Sequence, residues 1–180
     1  MITFILGKPD SGKSSLAEQL VCQRADACAY PVHKIYLATM IPYGKEGQER
    51  VAKHKKERDG KGFYTIECPS ELSKVRAQLK KNAPCICLLE CMSNLVGNEM
   101  QKKKDATDEE LLSYIMNCLS DLAADCEDLF IVGNEFPLTD EGYDEETIRY
   151  VTLIHRVNEC LIAFCDKIYR YENEQWRKLP

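Results

Sequence analysis

Gly7-Lys8-Pro9-Asp10-Ser11-Gly12-Lys13-Ser14 fits the pattern G-x-x-x-x-G-K-[ST] in full, and its flanks supply the context that the pattern needs. Ile2 to Leu6 is an apolar run of strand length, and Lys13 to Gln23 places Leu16, Ala17, Leu20 and Val21 on one helical face. A strand feeding a glycine bend that opens a helix is a phosphate-binding loop. Gly7 and Gly12 let the backbone curl until successive N–H groups point inward, and the helix N-terminus adds positive potential there. The pattern assigns nucleotide contacts to Gly7, Lys8, Pro9, Asp10, Ser11, Gly12, Lys13, Ser14 and Ser15. Lys13 is expected to reach the β- and γ-phosphates and Ser14 to offer its hydroxyl to Mg²⁺, which binds triphosphates through few protein ligands and several waters. Asp10, a carboxylate that phosphates would repel, is expected to point outward.

Beyond the loop, apolar runs and helical patterns alternate to the end of the chain. That alternation predicts an α/β protein of the P-loop NTPase fold, with a mainly parallel central sheet flanked by helices. Strands are predicted at Lys34–Ala38, Phe63–Glu67, Cys85–Leu89 and Leu129–Val132, and a terminal strand or hairpin at Lys167–Tyr171 and Gln175–Lys178. Helices are predicted at Gln48–Arg58, from Ser70 with Leu72, Val75 and Leu79 inward, from a Thr107/Glu110 capping box through Ala124, and at Glu145–Cys165. Glu99 to Asp105, polar and lysine-rich, reads as a loop, as does the acidic stretch Pro137 to Asp144. The run Cys85–Leu89 has the look of a strand buried on both faces. Glu90 at its carboxyl end is therefore the candidate acidic partner for Mg²⁺ or a water, with capping of the next helix as the plainer role.

At 180 residues and 44% hydrophobic content, one compact domain spanning 1–180 is expected. A formal charge of -5 argues against nucleic acid or an anionic membrane as the general partner, because either needs a basic surface. No apolar run has the length of a membrane span and the N-terminus has no basic leader, which leads to an expected cytoplasmic location. The ten cysteines show no C-x-x-C pair and no zinc spacing, and several sit in apolar stretches, as reduced core thiols do.

The ordered landmarks are Tyr36-Leu37-Ala38-Thr39, Arg50-Val51-Ala52-Lys53-His54, Tyr64-Thr65-Ile66-Glu67, Leu88-Leu89-Glu90-Cys91, Asn134-Glu135 and Asn158. With the phosphate loop, they resemble the bifunctional adenosylcobinamide kinase/adenosylcobinamide-phosphate guanylyltransferase family over nearly the whole chain. The resemblance implies phosphorylation of the aminopropanol hydroxyl of adenosylcobinamide by ATP or GTP. It then implies transfer of GMP from GTP to that phosphate through a guanylylated histidine, which the Arg-x-x-x-His pattern places at His54. It also implies Glu67 for guanine or ribose recognition, Glu90 for Mg²⁺, a corrinoid substrate, and a homo-oligomer, commonly a trimer. Lys13, His54 and Glu90 are thus the catalytic candidates. Arg50, Lys53, Lys55, Lys56 and Arg58 surround His54 in sequence and suit an α-phosphate under attack, although the same stretch also reads as a solvated helix face. Thr39 stands at a strand's carboxyl end, where ligands bind in open parallel sheets.

The chain departs from the family pattern at definite places. Pro9-Asp10 replaces Ala-Arg, Phe136-Pro137-Leu138-Thr139-Asp140 follows Asn134-Glu135, and Val151-Thr152, His155 and Glu159 stand where Arg-Asp, Gly and Gln are usual. These changes bear on nucleotide preference and on the acceptor pocket. They keep open a relative with one activity or another acceptor alcohol, or a nucleotide-binding regulatory protein.

Overall fold

The computed structural model describes residues 1–179. Seven strands form one sheet in the order β3-β2-β4-β5-β1-β6-β7: β1 (Ile2–Gly7), β2 (His33–Ala38), β3 (Phe63–Glu67), β4 (Cys85–Glu90), β5 (Asp128–Asn134), β6 (Lys167–Glu172) and β7 (Gln175–Lys178). Pairings from β3 across to β6 are parallel, and β6 and β7 close the sheet as an antiparallel hairpin. The helices are α1 (Lys13–Asp26), α2 (Gly44–Arg58), α3 (Arg76–Lys81), α4 (Met92–Lys102), α5 (Asp108–Ala124) and α6 (Glu145–Phe164).

The two-residue period of the strands divides the core into two layers. Ile5, Tyr36, Ile86, Leu88, Phe130 and Val132 meet Ala17 and Val21 of α1 on one face. Phe4, Leu6, Ile35, Leu37, Cys85, Cys87, Leu89, Leu129 and Ile131 face the other layer, built from α3 to α6. Both faces of the central strands are therefore buried, which is why β4 and β5 read as continuous apolar runs. The same alternation carries Glu90, two residues beyond Leu88, to the α1 face, where the phosphate loop turns into its helix.

Three sequence expectations are corrected. Glu99 does not begin a loop: α4 runs from Met92 to Lys102, because Met92, Leu95, Val96 and Met100 form an apolar face on the core. Buried Glu99 is accommodated on α4 by accepting the Glu71 N–H at 2.5 Å. Ser70 does not cap a helix; Glu71 adopts a left-handed φ of 57° before a 3₁₀ turn at Leu72–Val75, followed by α3. Even so, Leu72, Val75 and Leu79 are buried as expected. Helix α2 starts at Gly44, ahead of the predicted Gln48. The Thr107/Glu110 capping box is present, with both reciprocal bonds. Among the described residues no helix is long and apolar enough to cross a membrane.

Gly133 marks where the sheet tolerates no side chain, since a Cβ there would lie 2.6 Å from Phe4 Cε2. Gly133→Ala is predicted to lose about 1–3 kcal/mol of stability through overpacking. Urea denaturation reads this as a lowered midpoint, and an unchanged midpoint would show that the Phe4 ring can move aside at no cost.

Candidate functional site

The phosphate loop leaves β1 at Gly7 and returns as α1 at Lys13. Gly12 has φ 80° and Asp10 has φ 57°, both in the left-handed region; the first suits glycine, the second is tolerated by a short polar side chain. The Ser11 hydroxyl donates to the Lys8 carbonyl at 2.8 Å. No side chain caps the N-terminus of α1, so its first N–H groups remain available to an anion. Asp10 is exposed, as the sequence suggested. Lys13 turns into the loop, only 8% exposed, and its ammonium donates to the Lys8 carbonyl at 2.5 Å.

Beneath the loop the Ser14 hydroxyl donates to Glu90 Oε1. This contact joins residues 76 positions apart in the chain, and both the strand alternation and the glycine bend are needed to make it. The other carboxylate oxygen, Oε2, is buried with no hydrogen-bond partner. Burial therefore pushes the Glu90 carboxyl up to about 7, against the opposing effects of the Ser14 hydrogen bond and the charges of Arg58 and Lys13. Burial lowers the pKa of Lys13, while the neighbouring acidic groups, Glu90 and Asp10 among them, work the other way. A hydroxyl beside a carboxylate with one unsatisfied buried oxygen is a donor set that fits Mg²⁺, a cation that takes oxygen ligands and keeps several waters.

Sequence reasoning missed the buried charges behind this pair. Arg58, the last residue of α2, is buried; its guanidinium lies 3.5 Å from the centroid of the Tyr36 ring, and its Nη1 has no hydrogen-bond partner. Glu18 on α1 is buried too and pairs with Lys61 at 2.5 Å. In sequence both sit among exposed charges, and only the tertiary contacts reveal them.

The site residues do not all converge. Lys13, Ser14 and Glu90 come together, whereas His54 makes no hydrogen bond or ion pair to any of them. Its ring is 30% exposed, with Nδ1 3.4 Å from Glu57 Oε2 and lacking a hydrogen-bond partner. The cations around His54 are largely paired: Arg50 with Glu46 at 3.7 Å, Lys53 with Glu57 at 3.9 Å and Lys55 with Glu67 at 3.5 Å. Helix α2 contributes no side chain to either hydrophobic cluster, and its buried residues are Gly47 and Arg58. Glu67 ends β3 with an exposed carboxylate, in register with Ala38 and, across β2, with Glu90. Thr39 is 0% exposed and its hydroxyl donates to the Cys91 carbonyl at 2.8 Å. As placed, it ties the end of β2 to the residue that follows β4.

Beside α2 a cavity of about 280 Å³ is lined by Ile41, Tyr43, Glu46, Arg50, Asn94 and Asn98. Two of the departures from the family pattern touch, His155 Nε2 lying 2.7 Å from the Phe136 carbonyl; Val151, a third, is buried. Asn158 donates to the Asn134 carbonyl at 3.0 Å, holding the end of β5.

Comparison with known proteins bears on this geometry. The profile of the CobU family, described as cobinamide kinase / cobinamide phosphate guanyltransferase, matches residues 3–173. Among solved structures the chain is similar to an ATPase domain with a TM-score of 0.56, covering 96% of this chain and 69% of that one at 11% identity. At that identity the likeness concerns the fold alone. No curated protein sequence matches the chain.

The raised Glu90 carboxyl has a measurable consequence. It titrates at about 7 in the fold, against 4.5 when unperturbed. The stability carried by the protonated form is therefore fully present below about 4.5 and lost as pH rises through about 7, on the order of 3 kcal/mol in all. Glu90→Gln cannot ionise and is predicted to gain on the wild type across that window, with a constant difference above it. Urea midpoints measured for both proteins from about pH 5 to pH 8 check this, and parallel profiles would contradict it.

Proposed function

This chain belongs to the cobinamide kinase / cobinamide phosphate guanyltransferase family, and on that premise we propose a two-step reaction with assigned residues. Family membership implies both activities, within cobalamin biosynthesis. In the first step the aminopropanol hydroxyl of adenosylcobinamide attacks the γ-phosphorus of ATP or GTP; the hydroxyl proton is lost and the nucleoside diphosphate departs. In the second, a His54 ring nitrogen attacks the α-phosphorus of GTP and pyrophosphate leaves. A phosphate oxygen of adenosylcobinamide phosphate then displaces His54 and takes the GMP group.

The observation that carries this reading is the trio beneath the glycine bend: Lys13 drawn into the loop, with Ser14 hydrogen-bonded to a desolvated Glu90. Lys13 and the loop amides hold the phosphates and compensate the charge that develops on them. Ser14 and Glu90 would hold Mg²⁺, which when bound neutralises phosphate charge. Glu67, two strands from Glu90 at roughly 10 Å by sheet spacing, is assigned to guanine or ribose recognition. The cavity beside α2 has room for the aminopropanol arm but not for a corrin ring. The ring would then rest outside, against the exposed Ile41 and Tyr43. We further assign the whole chain to one domain, acting as a cytoplasmic homo-oligomer.

Two assays test the assignment. GTP labelled at the α-phosphate, incubated with the protein and Mg²⁺, is predicted to give an acid-labile, alkali-stable adduct that is lost in His54→Ala. Wild-type protein that binds GTP yet stays unlabelled would reject the histidine intermediate. Lys13→Ala is predicted to lower phosphate transfer to cobinamide by about 100-fold or more while circular dichroism stays unchanged, since one oriented charge contributes about 3 kcal/mol at such a site. Retained kinase turnover would remove Lys13 from the reaction.

A further inference from the structure

The outer flank of the phosphate loop is walled by two aromatic rings from the C-terminal hairpin. A Cβ on Gly7 would lie 2.8 Å from Tyr171 Cβ and 3.4 Å from Trp176 Cη2. Tyr171 and Trp176 are cross-strand partners of β6 and β7, with ring centroids 5.2 Å apart at 62°. The Lys8 ammonium, on the loop itself, is 5.8 Å from the Tyr171 centroid. Both rings are half-buried, neither sealed in the core nor free in solvent.

The hairpin is fastened to the loop as well as touching it. Arg170 stands in register with Leu6, and its guanidinium donates to Glu135 Oε1 at 2.5 and 3.1 Å. Glu135 in turn donates its N–H to the Gly7 carbonyl at 3.0 Å. This ion pair bridges the strands on either side of β1 and sets the hairpin's aromatic face against the start of the loop.

Position along the sheet gives the bound nucleotide a direction. Lys13, Ser14 and Glu90, which suit the terminal phosphates and their cation, lie toward β4. In the strand order, β6 and β7 lie on the opposite side of β1, a direction open to the nucleoside end of the phosphoryl donor.

We propose that Tyr171 and Trp176 form a stacking platform for the purine base of the phosphoryl donor held at Gly7–Ser14 in the first step, an inference that rests on the phosphate-loop reading above; the GTP of the second step, assigned to His54 and Glu67, extends toward β3 instead. Every base has a π-face, so stacking alone discriminates weakly between bases. The platform therefore accepts adenine and guanine with similar affinity and leaves the choice between them to other contacts.

Trp176 is the sole tryptophan of the chain, so its emission reports on the platform with no substitution needed. With Mg²⁺ present, ATP and GTP are expected to quench it saturably. Inorganic tripolyphosphate, which fills the loop but carries no base, is expected to bind by calorimetry, compete with ATP and leave the emission unchanged. Trp176→Ala should weaken ATP and GTP binding roughly tenfold and leave tripolyphosphate binding untouched, with Trp176→Phe restoring most of the loss. Three results would overturn the platform while sparing the loop: ATP binding with silent emission, quenching by tripolyphosphate equal to that by ATP, or equal losses for ATP and tripolyphosphate in Trp176→Ala. If neither ATP nor tripolyphosphate binds the wild type, the phosphate-loop reading falls and the platform falls with it.

Discussion

The hydrogen bond between Ser14 and Glu90 is the constraint around which the site is organised. One partner sits on the first turn of α1, the other at the end of β4, and β5 lies between β4 and β1 in the sheet. They meet because β4 alternates its side chains between two buried layers, sending Ile86, Leu88 and then Glu90 to the α1 face. The same burial that makes the strands apolar desolvates the carboxylate and leaves one of its oxygens without a partner. Such a group favours either a proton or a cation. The fold therefore generates the demand for positive charge that the triphosphate's metal would meet.

Around this rigid centre the attachments are uneven. The loop is locked to the sheet through Glu135 and Arg170, while α2 reaches the sheet through the Arg58–Tyr36 stack and the Lys55–Glu67 pair. A helix held by polar contacts, with no side chain in either apolar cluster, is tied down less firmly than its neighbours. His54 rides on that helix, whereas Lys13 and Glu90 stand on α1 and β4, whose apolar side chains pack into the core. On the residue roles proposed above, the family's two reactions draw on differently anchored parts of the fold: phosphate handling on α1 and β4, the histidine on the lightly held α2.

What the sequence discloses follows from how local each signal is. The strand, glycine bend and helix of residues 2–23 are legible because apolar period and backbone freedom are local properties. So is the Thr107/Glu110 cap, whose partners are three residues apart. Helix α4 escapes notice because its polar end, including buried Glu99, resembles a loop until the Glu71 N–H is placed against it. Arg58 and Glu18 look like surface charges for the same reason: their burial depends on Tyr36 and Lys61, far away in the chain. Thr39 stands at the expected strand end, yet its hydroxyl turns to the Cys91 carbonyl, a partner only the β2–β4 register reveals. The Tyr171–Trp176 pair carries no short motif, and its relation to Gly7 exists only once β6 lies beside β1.

On the reading proposed above, the glycine bend and the Ser14–Glu90 pair form one seat for a metal-bound triphosphate. A crystal structure with Mg²⁺ and a non-hydrolysable ATP analogue tests it most directly. Lys13 Nζ is expected to move from the Lys8 carbonyl onto the β- and γ-phosphates, with Ser14 and Glu90 turned to the cation. A triphosphate bound elsewhere, with Lys13 still on the Lys8 carbonyl and Ser14 still on Glu90, would contradict it.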